Sequence, residues 1–385
     1  MEIVRLDHQG RGIGYIDSKI VFVPNALVGE EVDIKITNSK KNYSEGAVLK
    51  YIKESNRRVK PACPYYGVCG GCDLMHMSYE EQLNFKQSKV ENILKRKVNK
   101  IVPSNQFNYR NKVTLKYDGK LGYYEENTHN VVPINSCLLL NDKINNIITY
   151  LNQTKLENNK EIIIRSNNDK TMLVLADEIK LDYPVDSVYI NGTLEKGLPH
   201  LNESLGKFNF AISPKSFFQV NTKQALNLYN KVLEYGCFKG NERVLDLYCG
   251  TGTIGIFISK NVKEVVGVEI NESSIIDATI NKELNNITNI EFIHSDVSKI
   301  NVSNFNSIIV DPPRSGLDKI TLGKLNNSKS EKIIYVSCDP ITLKRDLDLL
   351  NNYTVLEITP FDMFPNTHHV ETVVLLLNKE GDFDE

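Results

Sequence analysis

Residues 243 to 270 constrain the fold more than any other part of the chain. The apolar run RVLDLYCG passes directly into GTGTIGIFI, and a second apolar run, EVVGVEI, follows. A strand, a glycine turn that opens a helix and a second strand make a βαβ unit, which commits this part of the chain to a parallel sheet. Gly250, Gly252 and Gly255 match G-x-G-x-x-G, and Glu269 closes the next strand about twenty residues on. By itself the pattern permits an NAD enzyme, a methyltransferase or coincidence. Asp246, four residues before the first glycine, favours S-adenosylmethionine over NAD. A carboxylate there repels a pyrophosphate but can accept from a cationic methionine amine.

The alternation of strand and helix continues to residue 378, and each apolar run ends in residues able to do chemistry. In an open α/β sheet such ends collect at the carboxyl edge, where these folds bind their ligands. IEFIHSDVSK ends near Asp296, placed either to read an adenine amine or to cap its loop. FNSIIVDPPRSG ends at Asp311, and its two prolines stop the strand and hold that carboxylate at the edge. An asparagine before Pro-Pro and an aromatic would suggest amino-group methylation; here an acid precedes the prolines and Arg314 follows them. KIIYVSCDP ends at Cys338. The last two runs, YTVLEITPFDMF and VETVVLLLN, read as an antiparallel pair, which brings Glu371 back to the same edge. Taken singly, Cys338 reads as a buried small hydrophobe and Glu371 as a solvated strand start. Of His368 and His369, an extended chain would send only one into the pocket.

Upstream, residues 1 to 56 break at Gly10, Gly12, Gly14, Pro24 and Gly29 into hairpin-sized pieces, as in a small OB-like barrel. Lys40, Lys41, Lys50, Lys53, Arg57, Arg58 and Lys60 form either an RNA-facing basic patch or a solvated face. Seven cysteines in a chain with no apolar run of membrane-spanning length and no signal-peptide core point to a cytoplasmic protein that uses thiols for metal or catalysis. Cys63, Cys69 and Cys72 form C-x5-C-x2-C, and Cys137 is the candidate fourth ligand; zinc and a 4Fe–4S cluster both suit the spacing. An amphipathic helix over about 79–98 ends in KRKVNK, with Lys95, Arg96, Lys97 and Lys100 free to meet phosphates. A β-rich stretch then runs to about residue 205.

The runs SFFQVN, DLYCGTG, VDPPRSG, YVSCDP and HHVETVVLL together resemble the RNA uracil-5-methyltransferases, and the N-terminal barrel resembles their TRAM domain. The cysteine spacing is similar to the iron–sulfur motif of the branch that modifies 23S ribosomal RNA. The resemblance implies an α/β chain in three parts: a TRAM barrel over 1–56, a central β-rich iron–sulfur domain over 57–205, and a Rossmann-like methyltransferase domain over 206–385. The Tyr79–Val98 region is expected to pack on the last of these. It further implies Cys338 as nucleophile and Glu371 as base, Gln219, Tyr248, Glu269 and Asp311 at the cofactor alongside Gly250 and Asp296, and a 4Fe–4S cluster on Cys63, Cys69, Cys72 and Cys137.

These expectations describe a monomeric enzyme that methylates carbon 5 of a uridine in 23S ribosomal RNA. A Cys338 thiolate, its pKa lowered by the site, adds to carbon 6; Glu371 later removes the carbon 5 proton. Tyr65, Tyr66 and Phe107 are available to stack bases or to cover the cluster. Arg345 positions a phosphate or is a surface arginine. The alternatives are the same chemistry on transfer RNA, a non-catalytic RNA-binding protein of ribosome assembly, and an NAD-linked oxidoreductase.

Overall fold

A computed structural model describes residues 1–156, 159–167, 169–214 and 216–380. The last five positions of the expected methyltransferase domain lie outside the described residues.

The N-terminal strands Arg5–Leu6, Gly12–Ile16, Lys19–Val23, Glu31–Ser39 and Tyr43–Lys53 form one sheet, in which the fifth strand lies between the third and fourth. The sheet closes on itself, because Ile3 N–H donates to Glu30 O and Val32 N–H to Met1 O, both at 2.9 Å. Closure removes free edges and encloses Ile3, Val21, Val23, Ala26 and Val32. Two members of the expected basic patch are structural here. Arg58 pairs with buried Glu30 at 2.5 Å and lies over the Tyr51 ring, and Arg57 pairs with Glu81.

A second sheet of seven strands spans 112–197 and packs on the Asp142–Leu151 helix. The hairpin Leu201–Leu205/Phe208–Ile212 straddles the boundary expected after residue 205. Leu205, Phe208 and Phe210 bury against Phe257 and Ile254, so the hairpin shares the C-terminal core.

The third sheet has seven strands in the order 290–294, 264–269, 243–247, 307–310, 332–337, 371–378, 353–361. All neighbours are parallel except the Glu371–Asn378 strand, which runs against both of its partners. Alternate residues feed two cores, as the two-residue period of a strand dictates. Val244, Ile309, Ile334, Val336 and Val373 face the Thr222–Gly236 helix, while Leu245, Ile308, Val310, Tyr335 and Val374 face the Lys319–Asn326 and Pro340–Leu349 helices.

The Tyr79–Leu94 helix lies on the second of these faces, through Val90 and Leu94. It ends four residues earlier than expected, where Lys95 turns into the left-handed conformation (φ 55°). Lys95, Arg96, Lys97 and Lys100 are exposed, on a tail that leads away from the carboxyl edge. Gln82 sits at that edge, bonded to Asn366, and at ~1.5 Å per residue Leu94 is ~18 Å further along. Val98 and Ile101 anchor the tail in the core.

Candidate active site

Each candidate side chain is delivered by a strand that stops at the same edge. Leu247 pairs with Val310, and Val310 with Tyr335. Ser337 pairs with Thr372 on the antiparallel strand. One step beyond these pairs stand Tyr248, Asp311, Cys338 and Glu371. The prolines after Asp311 end its strand. Cys338 is wedged between its strand and a helix whose cap, Asp339, accepts from Ile341 N–H at 2.7 Å, with Pro340 at the first helical position.

The edge is rich in acids and short of partners. Glu371 is 5 % exposed, and burial, then Asp311, pushes its carboxyl up to about 8, with Arg314 opposing. Burial alone lifts Asp311 to about 7. Cys338, half-buried, is pushed up to about 12 by burial, then by Glu371 and Asp311. This corrects the expectation of a lowered thiol pKa: two acids face the sulfur, and Arg314 is the cation that opposes them. Arg314 was legible in DPPRSG but read only as a departure from another motif. Arg345 is exposed, as the surface reading has it, and its guanidinium donates to Ser315 O and Leu317 O, both at 3.0 Å, pinning the Arg314 loop.

The glycine loop lies beside these residues. Tyr248 (φ 62°), Gly250 (φ 53°) and Gly252 (φ 76°) all take positive φ. At Gly252 a Cβ would also meet the Phe292 ring at 2.5 Å, so only glycine fits. Gly255 N–H donates to Asp246 Oδ2 at 3.0 Å. The other oxygen, Oδ1, is buried with no partner among the described residues. Burial, then Asp311 and Glu269, raises this carboxyl to about 8. Glu269 accepts from Gly250 N–H at 3.2 Å and Asn271 N–H at 2.8 Å, keeping lone pairs for further donors.

Gln219 is nearly buried, and its loop is tied to the glycine loop where Thr251 Oγ1 donates to Phe217 O at 3.5 Å. Asp296 caps the short Val297–Lys299 turn by accepting from Ser298 N–H at 2.8 Å, and it also acts electrostatically on Tyr248. An orphaned carboxylate oxygen beside a glycine loop, with a second acid ending the next strand, suits a ligand that carries a cation and vicinal hydroxyls.

The two histidines have different partners. The strand begins only at Glu371, and the His368 and His369 rings lie tilted against each other with centroids 4.2 Å apart. His368 Nδ1 bonds Asp73 Oδ2 at 2.7 Å. His369 lies 3.5 Å from Arg314, and burial, His368 and Arg314 lower its pKa to about 3.

Away from the edge, Cys63, Cys69, Cys72 and Cys137 line one cavity of about 40 Å³ with Tyr65, Tyr66, Arg110 and Tyr123. Tyr66 donates to Asp73 O at 2.7 Å, and Tyr65 accepts from Asn135 N–H at 3.0 Å. Both tyrosines cover the cavity and are not free to stack on a base. Among the described residues, no three His, Cys, Asp or Glu side chains are gathered closely enough to hold a metal ion. Arg110, with a buried Nε that lacks a partner among the described residues, went unnoticed in the sequence.

The parallel sheet with its glycine loop and acid-lined edge defines an S-adenosylmethionine-dependent methyltransferase. The tRNA (uracil-5-)-methyltransferase family model matches residues 199–300 and 295–379, and the TRAM domain model matches residues 2–49. Uncharacterized RNA methyltransferases of Clostridium tetani and Clostridium acetobutylicum are 37 % and 36 % identical, over 97 % and 96 % of this chain and 95 % and 94 % of theirs. Among solved structures, the Pyrococcus abyssi tRNA (uracil-54, C5)-methyltransferase in complex with S-adenosyl-L-homocysteine is 31 % identical. It superposes with a TM-score of 0.85 over 98 % of each chain. The chain belongs to the RNA uracil-5-methyltransferase family. No helix among the described residues is long and apolar enough to cross a membrane.

Proposed function

We propose that this enzyme methylates carbon 5 of a uridine in 23S ribosomal RNA through a covalent Cys338 adduct. The observation that carries the chemistry is the placement of Cys338 and Glu371 on adjacent strands, one step beyond the Ser337–Thr372 pair. Carbon 5 of uracil is too weak a nucleophile to react unaided. Cys338 thiolate adds to carbon 6, forming the S–C6 bond and pushing the ring electrons toward carbon 5. S-adenosylmethionine supplies the methyl group that carbon 5 then takes. Glu371 removes the remaining carbon 5 proton, the C5–C6 double bond re-forms, and the electrons of the S–C6 bond return to Cys338 as thiolate.

Arg314 supports the thiolate against the two acids beside it. Gln219 and Asp311 are placed to hold the base edge or cofactor. Asp246, Tyr248, Gly250, Glu269 and Asp296 suit the cofactor: Asp246 Oδ1 takes its amine, Glu269 its ribose hydroxyls, and Tyr248 with Asp296 its adenine. The target base must leave its stack, at a cost of a few kcal/mol, which splayed bases in a folded RNA reduce. The N-terminal barrel is read as an OB-like RNA-binding module working beside a methyltransferase monomer.

The four cysteines suit a 4Fe–4S cluster better than zinc. At roughly 10–15 Å³ per water-sized centre, their cavity has room for a group of several atoms, and the thiols surround it without closing to the spacing one ion needs. Cys63, Cys69, Cys72 and Cys137 would hold the cluster, which brings iron that can be structural or redox-active.

Ribosomal RNA is favoured by the likeness of the cysteine spacing to that branch. Transfer RNA is the second reading, because the Pyrococcus enzyme that acts on it matches this chain end to end, barrel included. Methyl transfer from labelled S-adenosylmethionine, with unmodified 23S ribosomal RNA and transfer RNA offered in parallel and digested to nucleosides, separates the two. Label in 5-methyluridine from the 23S reaction supports the proposal; label from transfer RNA alone replaces its substrate; label in another nucleoside rejects the chemistry.

A further inference from the structure

Glu371 has a weakly determined aim. No hydrogen bond to its carboxylate is found among the described residues, and the sheet fixes its backbone from one side only, through the Phe361 pair and the residues that follow. Upstream, residues 362–370 form no strand or helix. Most of what holds this segment comes from residues 73 to 109, with Asn221 adding a bond to Met363 O at 3.0 Å. Lys86, fully buried, pairs with Asp362 and donates to Phe364 O at 2.9 Å. Gln82 and Asn366 bond reciprocally, at 2.9 and 3.2 Å. Tyr109 donates to Pro365 O at 3.2 Å.

Asp73 makes the densest attachment near the base; beyond it His369 meets Arg314 at 3.5 Å. Asp73 N–H and Leu74 N–H both donate to Asn366 O at 3.0 Å. The Asp73 carboxylate accepts from His368 N–H at 3.1 Å and bonds His368 Nδ1 at 2.7 Å. Lys89 closes the other side by donating to His368 O at 2.9 Å. Two residues separate His368 from Glu371, too few to absorb a shift at one without moving the other.

We propose that Asp73 and His368 are positioning residues for Glu371, latching the loop that carries the proton-abstracting carboxylate close to its return into the sheet. The proposal rests on the reading of Cys338 as nucleophile and Glu371 as base. Of the steps in that reaction, only loss of the carbon 5 proton needs Glu371, so a loosened latch slows that step and leaves thiolate addition and methyl transfer intact. The enzyme then stalls as a methylated adduct, with RNA still bound to Cys338.

The test follows labelled methyl groups into two pools, free RNA and RNA covalently held by denatured protein, using whichever RNA accepts methyl in the assay above. Wild type is compared with Glu371→Gln, Asp73→Ala, His368→Leu and His368→Asn. Asp73→Ala and His368→Leu are expected to fill the covalent pool as Glu371→Gln does, with turnover down about 10- to 100-fold for a misplaced group and KM for S-adenosylmethionine unchanged. His368→Asn, whose amide nitrogen can take the place of Nδ1, is expected to restore turnover. Because Asp73 directly follows Cys72, iron is measured in each variant, and His368→Leu decides if Asp73→Ala loses it. Turnover at the wild-type rate in His368→Leu, or lost methyl transfer with an empty covalent pool, would overturn the proposal. An empty pool in Glu371→Gln is a different result and overturns the assignment of the base itself.

Discussion

Cys338 and Glu371 stand opposite one another one residue beyond the Ser337–Thr372 pair, on strands that run in opposite directions. The antiparallel last strand is what makes this meeting possible: it returns the chain so that a strand beginning meets a strand end. The acid burdens the thiol: the Glu371 carboxylate is the second cause, after burial, of the raised Cys338 pKa.

Glu371→Gln removes the base and keeps the shape. Turnover is expected to fall by roughly 10²- to 10⁴-fold, while single-turnover methyl incorporation proceeds into the protein-bound pool. Quenched-flow separation of bound from free methylated RNA checks this; equal loss of both would deny Glu371 its late role.

The rate should depend on pH in one direction. Glu371 is raised from 4.5 to about 8, so at neutral pH most of it is protonated and the fraction able to act as base grows as pH rises. Because it acts after methyl transfer, the release of methylated RNA from the adduct is expected to speed up with pH toward about 8. A profile that falls over pH 6 to about 8 contradicts the assignment.

Stability should move the opposite way. Asp246 titrates at 3.8 unfolded and about 8 folded, so across that window the folded protein keeps a proton that the unfolded chain has released. Stability is then greatest at the acid end and is lost as pH rises toward the folded pKa. The cofactor-free protein is expected to melt at progressively lower temperature over this range, and Asp246→Asn to flatten the slope. A wild-type Tm that climbs with pH would contradict this.

How far the sequence spoke is clearest at these same positions. Strand ends are local features, and the runs ending at Asp311, Cys338 and Glu371 placed all three at one edge before any contact was known. The thiol pKa was misjudged because it depends on which charges arrive from other strands, and neighbours in space leave no mark at position 338. Asp73 was invisible for the same reason: its partner lies 295 residues away.

Lys86 and Asp362 form an ion pair with both side chains fully buried, at 2.5 Å. Lys86→Met strands the carboxylate without its cation and is expected to cost ~3–5 kcal/mol, whereas replacing both partners with apolar residues costs far less. Urea unfolding of the single and double variants checks the difference; equal losses would mean that the charge pairing is not what matters there.

Cys137→Ser should empty the cysteine cavity of metal although Cys137 lies far along the chain from the other three. Anaerobically prepared wild type is expected to bind iron and sulfide with visible absorbance, and the variant to lose both. Zinc at one per chain in the wild type, with no iron, would reject the cluster.

The central claim is a covalent bond between Cys338 and a uracil ring, and 5-fluorouridine RNA tests it most directly. Fluorine at carbon 5 leaves no proton for Glu371 to remove, so the methylated adduct cannot eliminate. Incubation with S-adenosylmethionine should give a protein–RNA complex stable to denaturation, whose attachment maps by mass spectrometry to the Cys338 peptide and vanishes in Cys338→Ala. A complex mapped to another cysteine, or none formed with RNA that the enzyme methylates when unmodified, would contradict the account.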